Sequence, residues 1–361
     1  MTELEALVEP LLRWYEQSRR ILPWREEPTP YRVWISEIML QQTRVEAVRP
    51  YFARFLEALP DIRHLARAPE EELLKLWEGL GYYNRVRNMK KAAMEIEEKY
   101  GGQMPDDYGE LLKLPGIGSY TAGAIASIAF GQAVPAVDGN VLRVIARVTA
   151  DGGDIASQKV RREVEERLRA VMPGHRSGDF NQALMELGAV VCIPNGAPKC
   201  GECPWQTLCQ AKALGKISEY PKKASKKPRV IEEKTVLIIQ DENRTALRKR
   251  PSKGLLAGMY EFPSLSGYRE EKEVLSYLNE MGLKAVYIRR LEDARHIFTH
   301  REWHMIGYVV RVDELERSVC GGQEPFIFVE KDETEEKYPI PSAFSRYAGY
   351  LKIRLGNEKF I

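Results

Sequence analysis

Leu114-Pro-Gly-Ile-Gly-Ser-Tyr-Thr-Ala122, continued by Gly-Ala-Ile-Ala-Ser-Ile-Ala-Phe130, decides how the first half of this chain folds. From Thr121 to Phe130 the run is apolar nearly all round, which predicts a buried central helix. A preceding helix is expected to end near Lys113, so Pro115-Gly-Ile-Gly118 joins two helices. Gly116 and Gly118 let the backbone turn tightly and come close to another group. Amides without partners at the start of the second helix then point outward and form a ready seat for an anion. Taken alone, Gly-x-Gly more often marks a plain helix–helix turn.

The helical pattern extends to both sides. Ala66–Leu80 and Val86–Tyr100 space apolar residues at helical intervals, and no strand is predicted within residues 1–215. Composition changes at Tyr220-Pro-Lys-Lys-Ala-Ser-Lys-Lys-Pro-Arg229, a run that reads as a solvated spacer. Beyond it, Lys234–Gln240, Ala285–Arg289 and Trp303–Val312 predict strands, with a helix over Glu270–Met281. The 361 residues therefore divide into a helical domain (1–215), a basic linker (216–232) and a mixed α and β domain (233–361).

Composition narrows the class. At 44% hydrophobic and 29% charged residues the chain is globular rather than disordered. No apolar run approaches the roughly 20 residues that cross a bilayer. Met1-Thr-Glu-Leu-Glu carries neither a signal core nor a transit pattern, so a cytoplasmic protein without a membrane partner is expected. Net charge is only +2, and residues 1–215 hold 27 Lys and Arg against 29 Asp and Glu. Bulk charge thus announces no nucleic acid; such a surface must come from local clustering. Four of the five cysteines, Cys192, Cys200, Cys203 and Cys209, share one short window, while Cys320 stands far away. That crowding reads as a metal site rather than a disulfide framework. The spacing Cys-x7-Cys-x2-Cys-x5-Cys suits zinc or a [4Fe–4S] cluster, and its single close pair leans toward iron–sulfur.

Two acidic residues stand out. Glu37 lies in Trp34-Ile-Ser-Glu37-Ile-Met39, with Ile35, Ile38 and Met39 around it. A carboxyl so placed has its pKa raised by desolvation, as a general acid requires, unless it sits on an exposed helical stripe. Asp138, in Val137-Asp-Gly-Asn-Val141, suits the cap of a helix over Val141–Val148.

Leu-Pro-Gly-Ile-Gly with Thr-Ala and a small-residue helix resembles the helix-hairpin-helix motif of DNA-repair glycosylases. Ser36-Glu-Ile-Met-Leu-Gln-Gln-Thr43 is similar to the signature of the adenine glycosylases of the MutY type. Gly254-Leu-Leu-Ala-Gly-Met-Tyr-Glu-Phe-Pro263 resembles that family's degenerate Nudix-like segment. The resemblance implies a mostly α helix-hairpin-helix glycosylase domain with an iron–sulfur cluster module, followed by an α+β Nudix-like domain. It implies that Glu37 is the catalytic acid and Asp138 the essential carboxylate beyond the hairpin, with Tyr120 and Asn140 positioning them. Arg20, Leu22, Trp24 and Gln182 are implied to form the adenine pocket. Gly116 and Gly118 of the hairpin, Gln42 and Thr43, and Leu80 and Tyr82 are the implied DNA contacts, Tyr82 as an intercalating ring. Phe298, Thr299 and His300 stand where the family has a Phe-Ser-His loop that helps read damaged guanine. The four clustered cysteines are implied to hold a [4Fe–4S] cluster. Their first gap is seven residues where six is usual, and Ile193–Lys199 is expected to absorb the extra one as a surface loop.

Bifunctional relatives such as endonuclease III place a Lys where this chain has Tyr120, so little or no lyase activity is expected. The implied reaction is hydrolysis of the N-glycosidic bond of adenine opposite 8-oxoguanine or guanine in double-stranded DNA, by a monomer. The acidic metal-binding run of an active Nudix hydrolase is missing, so no nucleotide pyrophosphatase activity is expected. Two rivals exist. An endonuclease III-like glycosylase/lyase on oxidised pyrimidines is opposed by Tyr120 and by the second domain. A mismatch-binding protein without chemistry is opposed by the presence of both Glu37 and Asp138.

Overall fold

The computed structural model describes residues 4–224, 228–313 and 326–356. Cys320 and residues 225–227 of the linker lie outside the described residues. Contacts divide the chain into two units.

The first unit holds residues 4–67 and 88–224 and is helical. Its core gathers Leu7 and Leu11 of the helix Glu5–Ser18, Val141 and Ile145 of Gly139–Val148, and Leu184 and Leu187 of Ser177–Val190. The apolar helix runs from Ser119 to Phe130 and is buried from Thr121 to Ser127, packing against Pro30–Leu40 and Ser177–Val190. Pro30–Leu40 begins sharply because the Thr29 hydroxyl accepts from the Arg32 amide and Pro30 occupies the first helical position. Apart from an isolated bridge between Asp154 and Lys222, no strand pairing is found among the described residues of this unit.

Three expectations are corrected. The helical spacing over Ala66–Leu80 is broken into Ile62–Arg67 and Glu70–Leu76, with Pro69, which has no N–H to donate, at the junction. The first half of the expected spacer is fastened: Arg147 Nε donates to the Tyr220 carbonyl at 3.0 Å and the Ile155 amide to the Lys222 carbonyl at 3.2 Å. Its lysines made it read as solvated, yet backbone groups do the binding while the Lys222 side chain stays half exposed. At its far end, the first strand already starts at Val230, inside the expected 216–232 linker.

The second unit holds residues 228–313 and 326–356 and, unexpectedly from sequence, residues 68–87. Its sheet has strands β1 (Val230–Gln240), β2 (Arg244–Lys249), β3 (Tyr260–Glu261), β4 (Ser264–Ser266), β5 (Ala285–Ile297), β6 (Arg301–Val312) and β7 (Phe326–Glu330). The order is β3-β2-β1-β6-β5, with β4 also on β1 and β7 on β2; β1 and β6 run parallel and β5 and β6 antiparallel. Alternation along β1 sends Val236 and Ile238 to a core with Trp303, Phe344 and Tyr347. Leu237 and Ile239 go to the other face, against Val274 and Leu278 of the helix Glu271–Glu280. Segment 68–87 joins this unit through polar anchors. Lys75 Nζ donates to the carbonyls of Tyr338 (2.8 Å) and Thr334 (3.2 Å). The buried Glu78 carboxylate accepts from the Ile340 amide at 2.8 Å.

Candidate active site

Glu37 is carried on the buried face of Pro30–Leu40 and is only 6% exposed. Burial pushes its carboxyl up to about 7, and the nearby charge of Asp138 pushes the same way. The Tyr120 hydroxyl, donating to Glu37 Oε2, and the Arg25 guanidinium oppose that rise. Tyr120 stands on the first turn of the hairpin helix, with its oxygen 3.3 Å from the Met185 sulfur.

Asp138 caps Gly139–Val148: its Oδ1 accepts from the Val141 amide at 2.8 Å. Its Oδ2 accepts from Asn140 Nδ2 at 2.8 Å. Burial raises the Asp138 pKa, and these two bonds with the Arg143 charge offset part of that cost. Arg143 in turn holds Asn140 Oδ1 at 2.9 Å and the Gly188 carbonyl at 2.8 Å. Glu37, Tyr120, Asp138 and Asn140 line one cleft of about 590 Å³, a size suited to a small organic group rather than an ion. Burial raises both carboxyls; Asp138 accepts from a backbone amide and Glu37 from the Tyr120 hydroxyl.

Arg20, Leu22, Trp24 and Gln182 line the same cleft, Leu22 and Trp24 with their side chains buried. The Trp24 ring packs edge-on against Phe52 at 5.4 Å. Two further residues, Arg25 and Glu186, belong to this wall; both fall within stretches similar to the family's pocket segments, but sequence reasoning gave neither a role. Their meaning depends on a contact spanning 161 residues, for which no local pattern gives a signal.

The hairpin glycines differ in what demands them. Gly116 has φ of 78°, and a Cβ there would stand 2.7 Å from Asn88 Cβ. Gly118 is extended, and nothing lies within 4 Å of its missing Cβ. Gly116→Ala is therefore expected to lower stability by about 1–2 kcal/mol from backbone strain alone, with more from the overlap. Gly118→Ala loses only part of a helix cap and should melt closer to the wild type. Thermal melting separates the two; equal melting temperatures for both variants would contradict this reading of the glycines.

Thr43 lines the cleft, and Gln42 is exposed with φ of 60°. In the second unit Tyr82 also has positive φ, 49°, and is 47% exposed. Left-handed backbone at non-glycine residues is strained and gathers at functional positions. Tyr82 and Thr299, far apart in sequence, share a 3.0 Å hydrogen bond between their hydroxyls. Thr299 and His300 form the exposed tip of the β5–β6 hairpin, while the Phe298 ring is partly buried at 4.8 Å from Trp303. Leu80, two residues before Tyr82, is 6% exposed.

Cys192, Cys200, Cys203 and Cys209 all line one small cavity in the first unit and form no disulfide. Backbone amides of Trp205, Ala211 and Lys212 point at Cys203 and Cys209, and Arg147 Nη1 lies 3.3 Å from the Cys192 sulfur. Among the described residues no group of three or more His, Cys, Asp or Glu is arranged to hold a metal ion. The longer first gap is taken up by exposed residues 194–197, with Gly196 at φ 76°.

Comparison with known proteins places these features. Residues 35–170 match the HhH-GPD superfamily of base excision DNA repair proteins, and residues 235–349 match the NUDIX domain. Among solved structures, a thermostable thymine-DNA glycosylase is similar at TM-score 0.52 and 29% identity, over 59% of this chain and 97% of that one. An endonuclease III–DNA complex gives TM-score 0.51 and 26% identity, over 60% and 98%. Human adenine DNA glycosylase is 37% identical over 83% of this chain, which spans 66% of the human protein's length. The adenine DNA glycosylase of Buchnera aphidicola (subsp. Acyrthosiphon pisum) is 36% identical over 84% of this chain and 85% of its own. With relatives this similar over most of both sequences, and with a helix-hairpin-helix unit followed by a Nudix-like one, the chain belongs to the adenine DNA glycosylase family.

Proposed function

We propose that the chain removes adenine opposite 8-oxoguanine or guanine from double-stranded DNA by hydrolysis, without cutting the strand. One observation carries the reading: two buried carboxyls, Glu37 beneath the Tyr120 hydroxyl and Asp138 on the Val141 amide, line one cleft, and burial raises Glu37 to about 7. Adenine flips out of the duplex into the cleft. With Tyr120 donating to Oε2, the acidic proton of Glu37 is left on Oε1, from which it passes to N7 of the base. Protonation lets the C1′–N9 electron pair leave with adenine as a neutral base. The sugar becomes oxocarbenium-like, and Asp138, fixed by Asn140 and the Val141 amide, stabilises the positive charge. Glu37, now ionised, takes a proton from the water that attacks C1′. Tyr120 replaces the amine that a lyase needs, so no Schiff base forms.

The test is release of free adenine from a duplex with adenine opposite 8-oxoguanine, run beside thymine glycol excision and borohydride trapping. Adenine release with an intact strand and no trapped adduct is expected. Excision of thymine glycol with a trapped adduct would replace this reading with the endonuclease III-like one.

Tyr82 and the Thr299–His300 tip together serve as the reader of the opposite base, a role supported by their shared hydrogen bond. Cys192, Cys200, Cys203 and Cys209 would hold a [4Fe–4S] cluster. Four thiols around one cavity, with one close Cys-x2-Cys pair, suit that cluster. When bound, the cluster supplies a cross-link of the 192–209 loop and no part of the hydrolysis. Amides aimed at sulfur and the Arg147 guanidinium offset the negative charge of the thiolates. Cys203→Ser should lose iron and visible absorbance and melt at lower temperature. Unchanged iron content per chain would remove Cys203 from the ligand set.

A further inference from the structure

The cleft holds a buried carboxylate that none of the steps above uses. Glu186, one helical turn beyond Gln182, is 1% exposed. It accepts hydrogen bonds from the Arg20 amide (3.2 Å), Arg20 Nε (2.6 Å), Arg20 Nη2 (2.9 Å) and Arg25 Nη2 (2.8 Å). Arg25 Nη1 also donates to the Arg20 carbonyl at 3.1 Å, so the three residues close into one unit. Burial opposes ionisation of Glu186, yet the arginines win and hold its carboxyl below the ordinary range. A buried ion pair is seldom a net source of stability, but it does fix geometry. Here the carboxylate comes from a long helix. The two guanidiniums come from a connecting segment whose only helix is the single turn Pro23–Glu26.

We propose that Glu186 is a positioning residue that holds Arg20 and Arg25 as the fixed cationic wall of the base pocket. This rests on the adenine-excision reading. Both arginines line the cleft, and two guanidiniums on one carboxylate leave one positive charge at that corner. Glu37 is faced by Tyr120, Asp138 and Arg25, with Arg44 and Glu46 on the same cleft. Glu186 therefore does two things: it keeps the wall in one conformation and limits the positive field that would strip Glu37 of its proton.

The test is single-turnover adenine release by the full chain across pH. Glu186→Gln is expected to slow release at neutral pH roughly 10- to 100-fold, as small misplacements of a wall do. Affinity for the mispaired duplex should stay within about threefold of wild type. The rate should also begin to fall at lower pH than in the wild type, because the unneutralised arginines favour ionised Glu37. Glu186→Asp, which keeps the charge, should restore part of the rate. Arg25→Met should move the fall to higher pH. A wild-type rate and profile in Glu186→Gln would overturn the proposal. So would a slower rate with an unmoved profile and no rescue by Asp, the pattern of lost packing. Should Glu186→Gln not fold, an unmoved profile in Arg25→Met decides against it. A wild-type chain that releases no adenine defeats the excision reading itself, an outcome distinct from an active enzyme indifferent to Glu186.

Discussion

Glu37→Gln is expected to slow adenine release by about 10³-fold or more while binding of the mispaired duplex stays within a few-fold. The substitution keeps the shape and a hydrogen-bond acceptor for Tyr120, and removes only the transferable proton. The pH dependence of the wild type follows from the same residue. The carboxyl is raised to about 7, so it is protonated and competent below that pH and ionised above it. Release should therefore decline about tenfold per pH unit above roughly 7. Single-turnover rates from acid to alkaline pH check both statements. A Glu37→Gln protein with wild-type release would remove the general acid from the mechanism.

Asp138→Asn has the second large effect, about 10²- to 10⁴-fold on release. Asparagine is as good a helix cap as aspartate, so the start of Gly139–Val148 should survive, and the melting temperature with it. Only the negative charge beside the sugar is lost. Comparison of melting with single-turnover release isolates that charge. A variant that loses activity only because it unfolds would show both falling together.

These carboxylates were legible through the family motifs that hold them, and the local sequence agreed without deciding: an exposed stripe was the ordinary reading for Glu37. Glu37 interrupts an apolar helical run, and burial there raises its pKa whatever else the chain does. Asp138 precedes a helix with the spacing of a cap, and a cap it is. The hairpin was legible for a similar reason: Gly116 must adopt positive φ where the chain reverses. What stayed hidden is set by contacts between distant segments. Glu186 reads as an ordinary helical glutamate until Arg20 and Arg25 arrive from more than 160 residues away. Segment 68–87 has helical spacing that says nothing of its partner; Lys75 and Glu78 tie it to backbone groups of residues 334–356.

Both substitutions act on one claim, that an anion at Asp138 meets positive charge building on a sugar whose base Glu37 has just protonated. A duplex with a positively charged pyrrolidine nucleotide in place of adenosine, opposite 8-oxoguanine, probes that charge directly. The wild-type chain should bind it at least about 100-fold more tightly than a duplex with an uncharged tetrahydrofuran there, and Asp138→Asn should erase the preference. Equal affinity of the wild type for the two duplexes would contradict the account.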